Sequence, residues 1–157
     1  AEVALALGAD IPVCLESQSC LMKGIGEEIT PVSLPNWGVV LVNSGEALDT
    51  ASVFRAYDNQ GLDPNESLAV IPGKSGDWIS FLKRNGNALE AAAISLQPHI
   101  QSILDTIAAT RSCLLSRMSG SGATCFGLYP DAIEAELAAE SLKSEFPHFW
   151  VMPSTLR

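Results

Sequence analysis

Two short segments hold residue types that could do chemistry on a hydroxyl or a phosphate. Leu7-Gly8-Ala9-Asp10-Ile11-Pro12 sets a carboxylate just past a glycine that can end a helix. A carboxylate in that place could orient a substrate hydroxyl and take its proton. Taken alone, Asp10 also reads as a turn residue whose side chain bonds nearby backbone. Met118-Ser119-Gly120-Ser121-Gly122-Ala123-Thr124 is a glycine–serine loop. Its glycines would let backbone approach a ligand, successive N–H groups could cradle phosphate oxygens, and Ser and Thr add hydroxyl donors. The same loop also reads as a tight hairpin connection, and it lacks the Gly-Lys-Ser/Thr ending of a Walker A loop.

Two further segments have a chemical and a plain reading. Gly24-Ile25-Gly26-Glu27 would let backbone approach a ligand, or it marks a bend in a strand. Asp49-Thr50-Ala51-Ser52-Val53-Phe54 places an aromatic one turn into a short helix, where it is either a core residue or a stacking platform for a planar base. His99 and His148 each follow a proline and complete no Ser-His-Asp or Cys-His arrangement. Cys14, Cys20, Cys113 and Cys125 include no Cys-x-x-Cys pair and have no histidine close by, so a zinc site is not expected. They read as reduced thiols of a cytoplasmic protein.

The elements that must position these residues follow from periodicity and from turn residues. Residues 1–8 read as the last turns of a helix ended by Gly8, which makes the chain a suspected fragment beginning inside an element. Short strands are expected over 13–15, 20–23 and 28–32. The apolar run Val39-Val40-Leu41-Val42 predicts a strand buried on both faces. Thr50 is expected to cap a helix reaching about Ala56. Residues 58–76 form the longest loop-like stretch, followed by a short helix over 77–83. Asn87 with Glu90 three residues on reads as a reciprocal cap of the next helix, and Pro98 interrupts it. Ile100, Ile103, Leu104, Ile107 and Ala108 then share one helical face. Strands over 113–118 and 124–129 flank the glycine loop. Pro130 opens a last helix whose apolar side is Ala135, Ala138, Ala139, Leu142 and Phe146, and a final strand covers 149–152. This order predicts an α+β fold of two layers, with helices on one face of an antiparallel sheet in a ferredoxin-like arrangement.

Composition narrows the function. The 157 residues carry 18 acidic and 9 basic side chains, a net charge of −9, and the cations are scattered. A nucleic-acid or anionic-membrane partner needs a basic surface, so neither is expected. No apolar run approaches the roughly 20 residues of a membrane helix. Hydrophobic residues at 47% and charged residues at 17% are a globular balance with enough apolar material for a core.

In order along the chain, Leu-Gly-Ala-Asp-Ile-Pro-Val from Leu7, Gly-Ile-Gly-Glu-x-Ile-Thr-Pro from Gly24, Thr-Ala-x-Val-Phe from Thr50, Ala-Leu-Glu-Ala-Ala-Ala from Ala88 and Met-Ser-Gly-Ser-Gly-Ala-Thr-Cys-Phe from Met118 resemble the GHMP kinases. Within that superfamily they look like the branch that acts on 4-diphosphocytidyl-2-C-methyl-D-erythritol. The resemblance implies a GHMP C-terminal domain over 36–157, preceded over 1–35 by the tail of an N-terminal domain of the ribosomal protein S5 domain 2-like type. It implies ATP-dependent phosphorylation of the substrate's 2-hydroxyl, with Mg²⁺, in the non-mevalonate route to isoprenoid precursors. Asp10 matches the catalytic base, Phe54 the aromatic that stacks on cytosine, and Ile25 and Thr50 positions lining the substrate pocket. Gly120, Ser121, Gly122, Ala123 and Thr124 match the glycine loop bordering phosphate transfer. The resemblance also implies that the ATP-phosphate loop and a lysine working beside Asp10 lie in an N-terminal domain missing here, so the chain alone is expected to be inactive. Ser44 and Ala88 depart from the family pattern, which often has Pro and Asp there. Rival expectations are another GHMP kinase, of homoserine or mevalonate type, and a non-catalytic ferredoxin-like ligand-binding module.

Overall fold

The computed structural model describes residues 14, 18–24, 28–61, 72 and 77–156. Asp10, Ile25, the expected helix over 1–8 and most of the long loop lie outside them. Of the strand expected over 13–15, Cys14 is described and is helical.

β1 (Cys20–Lys23) and β2 (Glu28–Pro31) pair antiparallel, with Lys23 opposite Glu28. Gly24 sits at φ 65 in the connection, a left-handed conformation that costs glycine little. Gly24 therefore lies between two paired strands and not at a bend within one.

A second sheet begins at β3 (Gly38–Asn43). It is joined by β4 (Leu115–Met118), β5 (Cys125–Tyr129) and β6 (Trp150–Thr155) in the order β4-β5-β3-β6, every neighbour antiparallel. The helices are α1 (Thr50–Asp58), α2 (Trp78–Arg84), α3 (Glu90–Leu96), α4 (His99–Ala109) and α5 (Ala132–Glu145). From β3 onward this is the ferredoxin-like succession, with α1 to α4 filling the first crossover and α5 the second.

β3 lies inside the sheet, which explains its unbroken apolar run. Val40 and Val42 are fully buried with Ile100, Ile103, Leu104 and Ile107 of α4 and Ala135, Ala138, Ala139 and Leu142 of α5. Ala108, expected on that face, is exposed. Val39 points the other way, into a second cluster with Trp37, Trp78, Phe81, Leu115 and Leu128. Helices α4 and α5 thus form the expected second layer, while α2 covers part of the reverse face through Trp78 and Phe81, whose rings meet edge to face at 5.8 Å. Burying each such side chain contributes about 1.5–3 kcal/mol. Arg117 fastens α2 to the sheet. Its Nη1 donates to the Asn85 carbonyl at 3.0 Å and its Nη2 to the Leu82 carbonyl at 2.5 Å, satisfying oxygens the helix end leaves open.

The helix ends correct three expectations. Asp49, not Thr50, caps α1: its backbone is extended and its carboxylate accepts from the Ser52 N–H at 2.8 Å. Pro130 stands outside α5, which Asp131 caps by accepting from the Glu134 N–H at 2.9 Å. Asn87 and Glu90 do not cap each other. Leu89 holds the N-cap position of α3 and makes no side-chain cap bond. Pro98 separates α3 from α4 as expected. Among the described residues no helix is long and apolar enough to cross a membrane.

Candidate functional site

The glycine loop closes the hairpin between β4 and β5 beyond the paired Met118 and Cys125. The Ser119 N–H donates to the Thr124 carbonyl at 2.8 Å and the Gly122 N–H to the Ser119 carbonyl at 3.0 Å. Gly120 and Gly122 have φ of 55 and 92, a region side chains disfavour. Their surroundings differ. The space beside Gly120 is open, whereas a Cβ on Gly122 would meet Met118 Sδ at 2.8 Å and Leu48 Cδ2 at 3.0 Å. One side of the loop is packed and the other faces out.

Helix α1 is bonded to this loop. The Thr50 and Ser121 hydroxyls are 2.9 Å apart, and Asn43 Nδ2 at the end of β3 donates to Thr124 Oγ1 at 2.8 Å. Phe54 lies four residues after Thr50 and hence on the same helical face. Its side chain is 50% exposed, while its neighbour Val53 is fully buried. Phe54 is therefore not the core aromatic that was the plain reading; Val53 fills that place. The cap beneath is charged: hydrogen bonds from the Ser52 side chain and backbone hold the Asp49 carboxyl below its ordinary value, aided by Arg55.

The loop is held from its other side by Asn87 and Glu90. Asn87 Nδ2 donates to the Met118 carbonyl at 3.0 Å and the Gly120 carbonyl at 2.8 Å, while its Oδ1 accepts from the Leu89 N–H at 3.0 Å. Glu90 Oε2 accepts from the Met118 N–H at 2.8 Å. The connection from β3 to α1 is fastened too. His99 Nε2 is 3.1 Å from Ser44 Oγ, its Nδ1 is 3.8 Å from Glu46 Oε2, and Gln97 Nε2 donates to the Ala47 carbonyl at 2.9 Å. Cys125, next to Thr124, is buried, and burial pushes its thiol up to about 12, which keeps it neutral and inert at physiological pH.

Thr50, Phe54 and Gly120 to Thr124 are thus gathered at one end of the sheet. Asp10 and Ile25, the other two expected site residues, lie outside the described residues. Sequence reasoning missed Asn43, His99 and the loop-holding role of Asn87 and Glu90. A polar Asn closing the apolar run of β3 was one signal for the first. The spacing of Asn87 and Glu90 is that of a helix cap and carries no sign of the loop.

Residues 68–148 match the family model described as GHMP kinases C terminal. A protein of Parvibaculum lavamentivorans named 4-diphosphocytidyl-2-C-methyl-D-erythritol kinase is 45% identical over 95% of this chain and 52% of its own length. One of the same name from Dinoroseobacter shibae is 45% identical over 97% of this chain and 53% of its own. A crystal structure titled 4-(cytidine 5'-diphospho)-2C-methyl-D-erythritol kinase superposes with a TM-score of 0.72 at 27% identity, covering 96% of this chain and 54% of that one. The chain spans about half the length of the curated relatives it matches.

Proposed function

The chain belongs to the GHMP kinases, and on that premise we propose that the whole protein transfers the γ-phosphoryl group of ATP to the 2-hydroxyl of 4-diphosphocytidyl-2-C-methyl-D-erythritol. The observation that carries the choice of substrate is the 45% identity, over 95% of the chain, to a relative bearing that substrate's name. The Thr50–Ser121 contact supports it, because it joins the helix carrying Phe54 to the glycine loop.

In this reading Phe54 stacks on the cytosine, and Thr50 with Ile25 lines the pocket. The cytidine is remote from the reacting oxygen, so its binding energy serves to place that oxygen. Asp10 orients the acceptor hydroxyl and takes its proton as the phosphoryl group arrives. Residues Gly120 to Thr124 border the transfer site with backbone N–H groups and hydroxyls. Residues 1–35 are the tail of the N-terminal domain and 36–157 the C-terminal domain. The N-terminal domain supplies the ATP-phosphate loop and a lysine beside Asp10, and these 157 residues alone are inactive. Mg²⁺ enters with ATP. Among the described residues no three His, Cys, Asp or Glu side chains converge to hold a metal. The protein works in the cytoplasm, with its thiols reduced.

Thermal protection tests the substrate class. Cytidine 5'-diphosphate should raise the Tm of the whole protein in a concentration-dependent way, since a ligand that binds only the folded state stabilises it by mass action. Protection by homoserine or mevalonate with none by the cytidine ligand would replace this reading with another GHMP kinase.

A further inference from the structure

The entry to the glycine loop is fastened by Glu90, the first residue of α3, and by Asn87, three residues before it. We infer that Glu90 and Asn87, at the start of α3, are positioning residues for phosphoryl transfer, acting through the backbone of Met118 and Gly120. This inference rests on the kinase reading, but the clamp itself rests on geometry alone.

The three contacts fall on consecutive parts of the loop's entry. Glu90 accepts the Met118 N–H at 2.8 Å, and Asn87 donates to the Met118 and Gly120 carbonyls at 3.0 and 2.8 Å. Met118 is the last residue of β4, and its side chain is 1% exposed. The backbone of Met118 is therefore gripped at both its N–H and its C=O before the chain enters the glycines. The Gly120 carbonyl is fixed one residue ahead of Ser121, whose hydroxyl meets Thr50. Gly120 itself is open to one side and has no side chain to brace it. With φ of 55 and 92 at the two glycines, the path through Gly120 and Gly122 depends on outside fastening.

The chemistry separates two roles for Glu90. As a clamp it needs an acceptor oxygen, not a charge. Glu90→Gln keeps an oxygen at the same reach, whereas Glu90→Ala leaves the Met118 N–H without a partner. Asn87→Asp replaces a donor amide by a carboxylate facing two carbonyl oxygens. Displacement of a positioned group by about 1 Å costs up to roughly a hundredfold in rate.

The test uses the whole protein with ATP, Mg²⁺ and 4-diphosphocytidyl-2-C-methyl-D-erythritol, well below Tm, together with amide hydrogen exchange at Met118. In Glu90→Ala and Asn87→Asp, kcat should fall roughly ten- to a hundredfold, while KM for the cytidyl substrate stays within about twofold. Met118 exchange should quicken in Glu90→Ala. Glu90→Gln should keep wild-type kcat and exchange. Equal losses in Glu90→Gln and Glu90→Ala would overturn the inference by making the charge the active feature. Wild-type kcat in Glu90→Ala, once Met118 exchange has quickened, would overturn it too. Absence of cytidyl phosphorylation by the wild-type protein would defeat the kinase reading instead, and the exchange contrast between the two Glu90 variants would still decide the clamp.

Discussion

The hydroxyls of Thr50 and Ser121 lie 2.9 Å apart although 71 residues separate them in the chain. One belongs to the first turn of α1 and the other to the tip of the glycine loop, so the helix and the loop share a hydrogen bond. The pair is exposed, and its loss should change stability by less than about 0.5 kcal/mol. Thr50→Val keeps the shape and removes the hydroxyl. It should raise KM for the cytidyl substrate in steady-state assays of the whole protein while leaving Tm almost unchanged. An unaltered KM would uncouple α1 from the loop.

Phe54 gives a sharper contrast. Its ring is 50% exposed, so little packing is lost when it is removed. Stacking of a base on an aromatic is worth about 1–3 kcal/mol by alanine substitution. Phe54→Ala should therefore weaken cytidine diphosphate binding about five- to a hundredfold by calorimetry, and Phe54→Trp should retain it. Equal binding by the alanine variant would make Phe54 a mere surface residue.

Asp49 ties the stability of α1 to pH. Its carboxyl sits below the ordinary value of 3.8, chiefly through the Ser52 hydroxyl and N–H. A depressed carboxylate adds stability that is complete above its unfolded pKa and is lost as pH falls through the folded one. Asp49→Ala should thus lower Tm at pH 7, and the gap to wild type should close below about pH 3.8. Asp49→Asn should keep the neutral part of the cap, and its Tm difference from Asp49→Ala should not vary with pH. A gap of constant size across the acid range would contradict the assignment of Asp49 as a charged cap.

These contacts show what a single sequence carries and what it does not. The β3 strand was legible because four apolar residues in a row leave few alternatives, and Pro98 marked the break between α3 and α4 because it cannot continue a helix. The cap of α1 sits one residue before the Thr50 that the sequence suggests. Asp49 and Thr50 are both good caps, and only the extended backbone of Asp49 decides between them. Asn87 and Glu90 have the spacing of a capping pair, but the hairpin from β4 to β5 offers their side chains unpaired peptide groups at Met118 and Gly120. Long-range partners of that kind have no local signature. His99 was silent for the same reason: Ser44 and Glu46 reach it only once β3 and α4 have packed.

Gly122 is a test of the loop's packed side. At φ 92 a side chain is strained, and a Cβ there would press on Met118 and Leu48. Gly122→Ala should destabilise the protein by about 1–3 kcal/mol in urea unfolding. Gly120→Ala shares the positive φ but meets nothing, so it should be the milder change of the two. The reverse order would mean that the loop packs through its other side.

Phosphorus NMR of the whole protein mixed with ATP, Mg²⁺ and 4-diphosphocytidyl-2-C-methyl-D-erythritol reads the proposed reaction itself. A new phosphate monoester should appear on the 2-hydroxyl of the methylerythritol with the wild type and be lost in Asp10→Asn. A spectrum with no new ester, or full turnover by Asp10→Asn, would contradict it.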